Sequence, residues 1–338
     1  MAVELPSELM VEILSWLPSK SLLRCRSVCK SWLSLISSTQ FRLMHLHNFN
    51  QLNSRYVVRR RFIQKEEFPV HFDDQNFTLD SNAPIKFPYN LNLSGTGLLS
   101  FEIIGCCNGV LCFSINTIGR DEIILWNPSI RRKLTLIPPM YHRSELPDLD
   151  LLFGFGYHIT SDDYKVVRLS YDRHHELITT FYVQIYTVKN AIWREVIFPN
   201  DLPSGILSKY SVFVNGYVHW LAVVGDSLAI IRHYMTVSSS SYEIWVMEDK
   251  NNQITLAMSM IYKVEYTLNN AGRALGLTNN GYLIMVGCTE GDVKICNQEG
   301  GFSVYGSCRE RIDSKYTFVE RYQESLALLD HGELDDDA

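Results

Sequence analysis

The chain has 338 residues and a formal net charge of −6 at pH 7. Because a domain typically contains about 150 residues, this length predicts roughly two domains. Hydrophobic residues make up 46% of the chain and charged residues 20%, which excludes a globally disordered, collagen-like or coiled-coil protein. Aromatic residues reach 12%, a share that favours β structure.

The sequence shows neither a membrane-spanning segment nor a secretory signal. It contains no run of eighteen apolar residues, and its first six residues lack the basic flank and apolar stretch of a signal peptide. We therefore expect a protein of the cytoplasm and/or nucleus without a membrane partner. Its eight cysteines are interpreted as thiols and not as a disulfide framework.

Charge is unevenly distributed along the chain. Residues 1–65 carry a net charge of +7, and residues 66–338 carry −13. A basic N-terminal segment can bind nucleic acid, a membrane surface or an acidic protein. Here the basic residues alternate with apolar ones and no zinc-finger spacing is present, so the pattern predicts a folded protein-binding module. The run Arg59-Arg60-Arg61 is interpreted as a solvated face and not as a nucleic-acid site.

Two segments of helical period open the chain. Leu9, Ile13 and Leu17 recur at every fourth position between Pro6 and Pro18, and proline is favoured in the first turn of a helix but stops one in its interior. A second stripe comprises Leu22, Cys25, Cys29, Trp32 and Ile36. About 45 residues in short helices cannot bury so many apolar side chains alone. The helices must therefore pack on the rest of this chain or dock on a partner.

The residues of this head carry a family resemblance. They are Leu5-Pro6-Ser7-Glu8-Leu9, Ile13-Leu14, Leu17-Pro18-Ser19-Lys20-Ser21-Leu22, Arg24-Cys25-Arg26, Val28-Cys29-Lys30-Ser31-Trp32 and Leu35-Ile36. Over residues 4–40 this pattern resembles an F-box, the module with which the substrate receptors of Skp–cullin–F-box ubiquitin ligases bind their Skp adaptor. The resemblance implies an acidic adaptor, which would complement the basic head and mainly raise the association rate.

The resemblance also implies which side chains meet the adaptor. Nine residues are expected to face it: Leu5, Pro6, Leu9, Ile13, Leu14, Leu17, Pro18, Leu22 and Val28. Trp32 and Ile36 are expected to pack inside the head.

From about residue 101 the chain alternates short apolar runs with turn signals. Asn108-Gly109, Asn215-Gly216 and Asn280-Gly281 each precede a strand-like run, and Asn-Gly is a strong hairpin signal. Strand–turn–strand units recur at residues 123–138, 184–199 and 243–262, and more weakly at 294–306. Repeated sheet units of this size predict a β-propeller, with a β-sandwich as the structural alternative.

The body carries a second resemblance. The matching residues are Cys106-Cys107-Asn108-Gly109-Val110-Leu111-Cys112, Leu125-Trp126-Asn127-Pro128-Ser129, Phe153-Gly154-Phe155-Gly156-Tyr157, Asp162-Asp163-Tyr164-Lys165-Val166-Val167, Val218-His219-Trp220-Leu221, Glu243-Ile244-Trp245-Val246-Met247 and Glu324-Ser325-Leu326. They are similar to the F-box-associated domain, often described as kelch-like, that follows the F-box in a large plant family. The resemblance implies that the body recognises a target protein.

The repeat is interrupted near Ala222 and Val223. In proteins that the body resembles, the run that begins at His219 is followed by a further strand–turn–strand unit, whereas here Ala222 leads directly into the next strand-like run. We therefore expect roughly 30–40 residues, about one repeat unit, to be missing. The propeller would then be incomplete, through a splice variant, a gene-model error or a natural loss.

Signatures of catalysis and metal binding are missing from the sequence. It has no phosphate-binding loop, no dinucleotide fingerprint and no nucleophile elbow. Cys106, Cys107 and Cys112 cluster without zinc-ligand spacing, and His174-His175 are interpreted as a polar hairpin tip. These patterns predict a non-catalytic protein with no metal, cofactor or nucleic-acid partner.

The chain is thus predicted to consist of an α-helical F-box at residues 1–45 and a connector with short strands at 46–100. An F-box-associated β domain would follow at 101–332, and an acidic disordered tail at 333–338. The predicted function is that of a substrate-recognition subunit, joined to a cullin through its Skp adaptor and binding an unidentified target protein. Two alternatives stay open: an adaptor-bound regulator that degrades nothing, and an enzyme on a propeller scaffold.

Overall fold

The computed structural model describes most of the head and much of the body. The described residues are 6–52, 54–61, 66–74, 77–81, 85, 98–117, 120–137, 149–158, 161–172, 181–196, 212–214, 217–219, 222–224, 227–235, 239–250, 253–267, 272–278, 282–287, 293–296, 302–305 and 317–334. The chain forms two compact units. The first contains Met1–Arg59, Gln64–Leu136 and Glu320–Ala338, and the second contains Arg60–Ile63 and Ile137–Val319.

Four helices form the N-terminal head. They are α1 (Ser7–Ser15), α2 (Ser19–Cys25), α3 (Lys30–Ser37) and α4 (Thr39–Leu52). Pro6 and Pro18 stand immediately before α1 and α2, as the sequence pattern predicts. The fourth helix carries the head beyond residue 45, into the predicted connector. Within the described part of the chain, no helix combines the length and the apolar character needed to cross a membrane.

All named elements after α4 are strands, which confirms the all-β body. One sheet joins β1 (Arg55–Arg61), β2 (Glu66–Glu67), β3 (Val70–Phe72) and β22 (Phe318–Tyr322), with β1 next to each of the others. A five-stranded sheet has the order β23-β7-β6-β5-β4 and contains β4 (Leu98–Cys107), β5 (Val110–Thr117), β6 (Arg120–Asn127), β7 (Arg132–Leu136) and β23 (Glu333–Leu334).

The second unit holds four more antiparallel sheets whose strands follow one another in chain order. They contain β8 (Leu149–His158), β9 (Asp163–Asp172), β10 (Phe181–Thr187) and β11 (Ile192–Val196); β12 (Val212–Val214) and β13 (Tyr217–His219); β14 (Ala222–Val224), β15 (Ser227–Met235), β16 (Ser239–Lys250) and β17 (Gln253–Thr267); and β18 (Gly272–Leu277), β19 (Leu283–Gly287), β20 (Val293–Cys296) and β21 (Phe302–Tyr305).

The hairpin predictions agree with the strand pairing. The four strand–turn–strand units correspond to the pairs β6–β7, β10–β11, β16–β17 and β20–β21. Asn108 and Gly109 join β4 to β5 with φ angles of 49° and 75°, the left-handed conformation that an Asn-Gly turn supplies. The other two Asn-Gly pairs lie outside the described residues, between the paired strands β12–β13 and β18–β19.

The sheet formed by β12 and β13 is irregular. It has two described strands, whereas each other described sheet has four or five. Only residues 220 and 221 separate β13 from β14, which already belongs to the next sheet. Two residues cannot form a further strand pair, since strands in globular proteins need at least about three residues each. The expected loss of a unit near Ala222 and Val223 stays a prediction.

The arginine run does not form the solvated face that we predicted. Arg59 and Arg60 are buried on β1, and the Arg59 guanidinium lies 3.8 Å from the centroid of the Phe101 ring. Guanidinium groups stack favourably on aromatic faces, and their long stems pack against apolar neighbours. The described side chains of β1, from Arg55 to Arg60, are all buried.

The disorder predicted for the first two residues of the acidic tail requires correction. Glu333 and Leu334, which we assigned to a disordered tail, form β23 and pair with Lys133 and Arg132 on β7. Backbone pairing with an open sheet edge stabilises these two residues in spite of the neighbouring acidic charge. Residues 335–338 lie outside the described part of the chain.

Candidate functional site

The head carries two apolar stripes, one of which faces inward. Met10, Leu14 and Leu17 on and just after α1 pack into a cluster centred on the head. Its fully buried members are Leu14, Leu22, Ile36, Phe41, Ile130, Leu326 and Leu329. Ile130 precedes β7, and Leu326 and Leu329 follow β22, so the chain's own later segments supply part of the core. The apolar side chains of this stripe are therefore buried by packing on the rest of the same chain, and they need no partner to cover them.

The other stripe faces solvent. Leu9 and Ile13 have 54% and 55% of their surface exposed, and Trp16 has 38%. Their spacing of four and then three residues places them on one side of α1. Each directly precedes a residue of the inward stripe in the sequence. Val28, between α2 and α3, is 65% exposed. An exposed group of large apolar side chains of this kind marks an interaction surface.

The nine residues predicted to meet an adaptor divide into several groups. Leu9, Ile13 and Val28 are exposed apolar side chains, and Pro6 and Pro18 are also exposed. Leu17 is partly buried against the inner cluster. Leu5 lies outside the described residues.

Two of the predicted contact residues need a different assignment. Leu14 and Leu22 are buried in the inner cluster of the head. They have almost no free surface to offer, because Leu326 and Leu329 of the same chain occupy that side of the helices. Trp32 and Ile36, predicted to be internal, do pack in this cluster.

Sequence reasoning missed three exposed apolar side chains of the head. Trp16 continues the stripe of Leu9 and Ile13, and Leu33 on α3 and Leu43 on α4 are 42% and 45% exposed. The signal for Trp16 was its position seven residues after Leu9 and three after Ile13. Its indole Nε1 donates a hydrogen bond of 3.0 Å to Glu12 Oε1, which fixes the ring beside the stripe.

Charge around the exposed stripe is mainly basic on α2 and α3. Lys20, Arg24 and Lys30 are exposed there, while Glu8 and Glu12 lie on α1. The exposed charges of α1, α2 and the start of α3 are therefore net positive, which favours an acidic partner.

A reactive thiol lies beside Val28. Cys29 is exposed, and its Sγ lies 3.0 Å from Ser31 Oγ. The Ser31 side chain and the backbone N–H groups of Trp32 and Ser31 stabilise the thiolate and lower the pKa of Cys29. This thiol therefore offers a chemical probe of the surface around Val28.

The cysteines of the body do not form part of a metal site among the described residues. No group of three or more His, Cys, Asp or Glu side chains among them could hold a metal ion. Cys106 and Cys112 are free thiols, and burial raises the pKa of both well above the usual value. Neutral buried thiols of this kind are poor nucleophiles and poor metal ligands.

Comparison with protein families finds two matches in this chain. A family described as F-box-like matches residues 2–45. A family described as the F-box associated beta propeller domain matches residues 63–226. The first match covers α1 to α3 and the first half of α4, and the second ends in the link between β14 and β15.

Curated relatives come from Arabidopsis thaliana. An F-box/kelch-repeat protein is 30% identical over 231 residues, which are 68% of this chain and 62% of the relative. Another F-box protein is 28% identical over 175 residues, covering 50% of this chain and 38% of that protein. The F-box protein CPR1 is 28% identical over 202 residues, covering 57% and 45% respectively. The matched region thus spans less than two thirds of the length of each of these relatives.

Proposed function

Because the chain belongs to the plant F-box proteins that carry an F-box-associated domain, we propose that it is a substrate-recognition subunit of a Skp–cullin–F-box ubiquitin ligase. The head binds a Skp-type adaptor, which joins the chain to a cullin. The β body binds a target protein. The exposed apolar stripe of Leu9, Ile13 and Trp16, together with Val28, is the observation that carries the proposal.

Adaptor binding would bury apolar side chains that the head alone leaves exposed to water. Burying one large apolar side chain is worth about 1.5–3 kcal/mol, and the head leaves several of them wet although its inner cluster is well packed. A partner that covers Leu9, Ile13 and Val28 recovers this free energy. Exposed Lys20, Arg24 and Lys30 select an acidic partner over a basic one.

The body fits the role of a receptor. The four sheets formed by β8 to β21 are antiparallel and their strands follow in chain order, which is how the blades of a propeller are built. We propose that they are blades of an incomplete kelch-like propeller. Loops on such a scaffold bind the target.

The proposed role is non-catalytic, because other subunits of the ligase transfer ubiquitin and this chain needs no nucleophile of its own. An enzyme would need converging titratable groups, and the described residues offer none that resembles a known catalytic arrangement. The remaining alternative is an adaptor-bound regulator that does not cause degradation.

Proximity labelling separates the degradative receptor from the regulator. Biotin ligase would be fused to the wild-type chain and to a Leu9→Asp/Ile13→Asp variant, with Leu79→Asp as control because Leu79 is equally exposed, at 55%. For a degradative receptor, target proteins are captured by all three forms but accumulate only with the double variant. Capture without any change in target abundance would support the regulator instead.

A further inference from the structure

The C-terminal segment at residues 323–331, here called the strap, lies between the head and the five-stranded sheet. On the head side, Leu326 and Leu329 are buried among Leu14, Leu22 and Ile36. Together they form a continuous apolar contact, so the strap is part of the head's core although about 300 positions separate it from the helices in sequence.

Glu324 joins the strap to three parts of the first unit. Its Oε2 accepts a hydrogen bond of 3.0 Å from the backbone N–H of Ser19, the first residue of α2. Its Oε1 lies 3.2 Å from Arg55 Nη2 on β1. Its main-chain N–H donates to Asn50 Oδ1 and its carbonyl accepts from Asn50 Nδ2, both at 2.9 Å. A carboxylate at a helix N-terminus and beside a buried guanidinium is a strong contact.

The opposite side of the strap is held by the sheet. Asn127, at the end of β6, donates to the carbonyl oxygens of Ser325 and Ala327 at 3.0 and 2.9 Å. Gly109 in the β4–β5 turn approaches the strap so closely that a Cβ there would lie 2.1 Å from the carbonyl oxygen of Gln323. The strap is therefore fixed on both sides by specific polar contacts as well as by apolar packing.

We propose that the strap sets the orientation of the adaptor-binding head on the five-stranded sheet, and that Glu324 is the positioning residue of this contact. The inference rests on the proposed function, because a ligase receptor must present its target at a defined place relative to the adaptor. Rigid attachment raises the effective concentration of the target at the site of transfer. Loss of the Glu324 side-chain contacts would leave adaptor binding intact and make the head's orientation variable.

Orientation can be measured without the adaptor. Donor and acceptor dyes would be attached through non-natural amino acids at Gln40 on α4 and Thr135 on β7, both exposed, and single-molecule energy transfer recorded. The wild type should give one narrow distribution. Glu324→Ala should give a broader or shifted distribution. Asp330→Ala should resemble the wild type, because Asp330 is a half-exposed carboxylate that pairs with Arg26 at 3.2 Å and is screened by solvent.

Adaptor affinity and a second variant, Asn50→Ala, test the same contact. Adaptor affinity should be unchanged in Glu324→Ala, since the exposed stripe is untouched; a loss of affinity equal to that of Leu9→Asp/Ile13→Asp would mean that Glu324 only supports folding of the head. If Glu324→Ala does not fold, Asn50→Ala, which removes the side chain bound to the Glu324 main chain, is measured instead. A wild-type distribution in the folded variant would overturn the proposal, and a failure of the adaptor to bind any form would overturn the proposed function alone.

Discussion

A single histidine shows how a buried side chain couples the head to pH. His45 on α4 is fully buried between the rings of Phe41 and Phe49, whose centroids lie 6.5 and 5.6 Å from its own. Its Nε2 lies 2.9 Å from the carbonyl oxygen of Leu17 and acts as donor there. Burial lowers the pKa of His45 below 6.5, although the Leu17 contact and the charge of Glu324 act in the opposite direction.

This environment predicts that acid destabilises the head. The unfolded chain binds a proton at His45 near pH 6.5, whereas the folded chain binds it only at lower pH, so the free energy of unfolding falls as pH drops below 6.5. His45→Gln keeps a donor for Leu17 but cannot ionise. Urea unfolding at pH 7.5 and pH 5 should show a larger loss in the wild type than in His45→Gln. Equal losses would show that His45 does not titrate across this range.

At the residue scale, the sequence pattern identifies the apolar side chains of the head but not which of them are buried and which are exposed. Ile13 and Leu14 are adjacent and both apolar, and their positions around the helix differ by about 100°. One is exposed and the other buried. Leu14 is buried because it packs in one cluster with Leu326 and Leu329. These two residues lie about 300 positions later in the chain, so no local sequence pattern predicts the contact. The contact between Glu324 and Ser19 was inaccessible to sequence reasoning for the same reason.

At the scale of elements, local signals were sufficient for helices and hairpins. The prolines before α1 and α2 and the strand–turn–strand units all predicted elements that the structure contains. These signals act within a few residues, so tertiary context did not override them. The solvated face predicted for the arginine run is wrong at Arg59 and Arg60, because charge alone does not reveal what packs against the faces of a strand.

The β4–β5 turn gives a matched pair of substitutions. Gly109 has a φ of 75° and Asn108 a φ of 49°. Gly109→Ala places a Cβ in the left-handed region and against the carbonyl oxygen of Gln323, so it should lower the free energy of unfolding by about 1–3 kcal/mol or more. Asn108→Gly should change it by less than about 1 kcal/mol, because glycine adopts the same conformation without strain. Both values come from chemical denaturation.

Similar unfolding free energies for the two variants would contradict this account of the turn. Such a result would mean that the strap can move away from the β4–β5 turn at little cost, and it would also weaken the role assigned to the strap.

At the scale of the whole molecule, one sheet of the second unit differs from the others, because β12 and β13 are its two described strands. The resemblance predicts a missing unit near Ala222, and two residues separate β13 from β14. A sheet without its outer strands would expose unpaired N–H and C=O groups, which promote aggregation. The resemblance and the repeat predict this loss, whereas they do not predict which loops bind the target.

Restoring the unit is therefore expected to improve the protein. A strand–turn–strand unit of roughly 30–40 residues, taken from a relative, would be inserted between β13 and β14. A Gly-Ser linker of equal length at the same position is the matched control. The restored chain should give a higher yield of soluble monomer than either the original chain or the control, measured by size-exclusion chromatography. A restored chain that aggregates more than the original would refute the assignment of a missing unit.

The central claim is that the exposed stripe of the head binds a Skp-type adaptor, and calorimetric titration of the purified full chain with such an adaptor tests it most directly. Charges placed in a desolvated apolar contact are costly, so Leu9→Asp/Ile13→Asp should weaken binding at least about 100-fold, or about 2.7 kcal/mol. Leu79→Asp/Ile137→Asp, which alters equally exposed leucine and isoleucine side chains outside the head, should bind like the wild type. Undiminished binding by the Leu9→Asp/Ile13→Asp variant would contradict the assignment of the adaptor-binding surface.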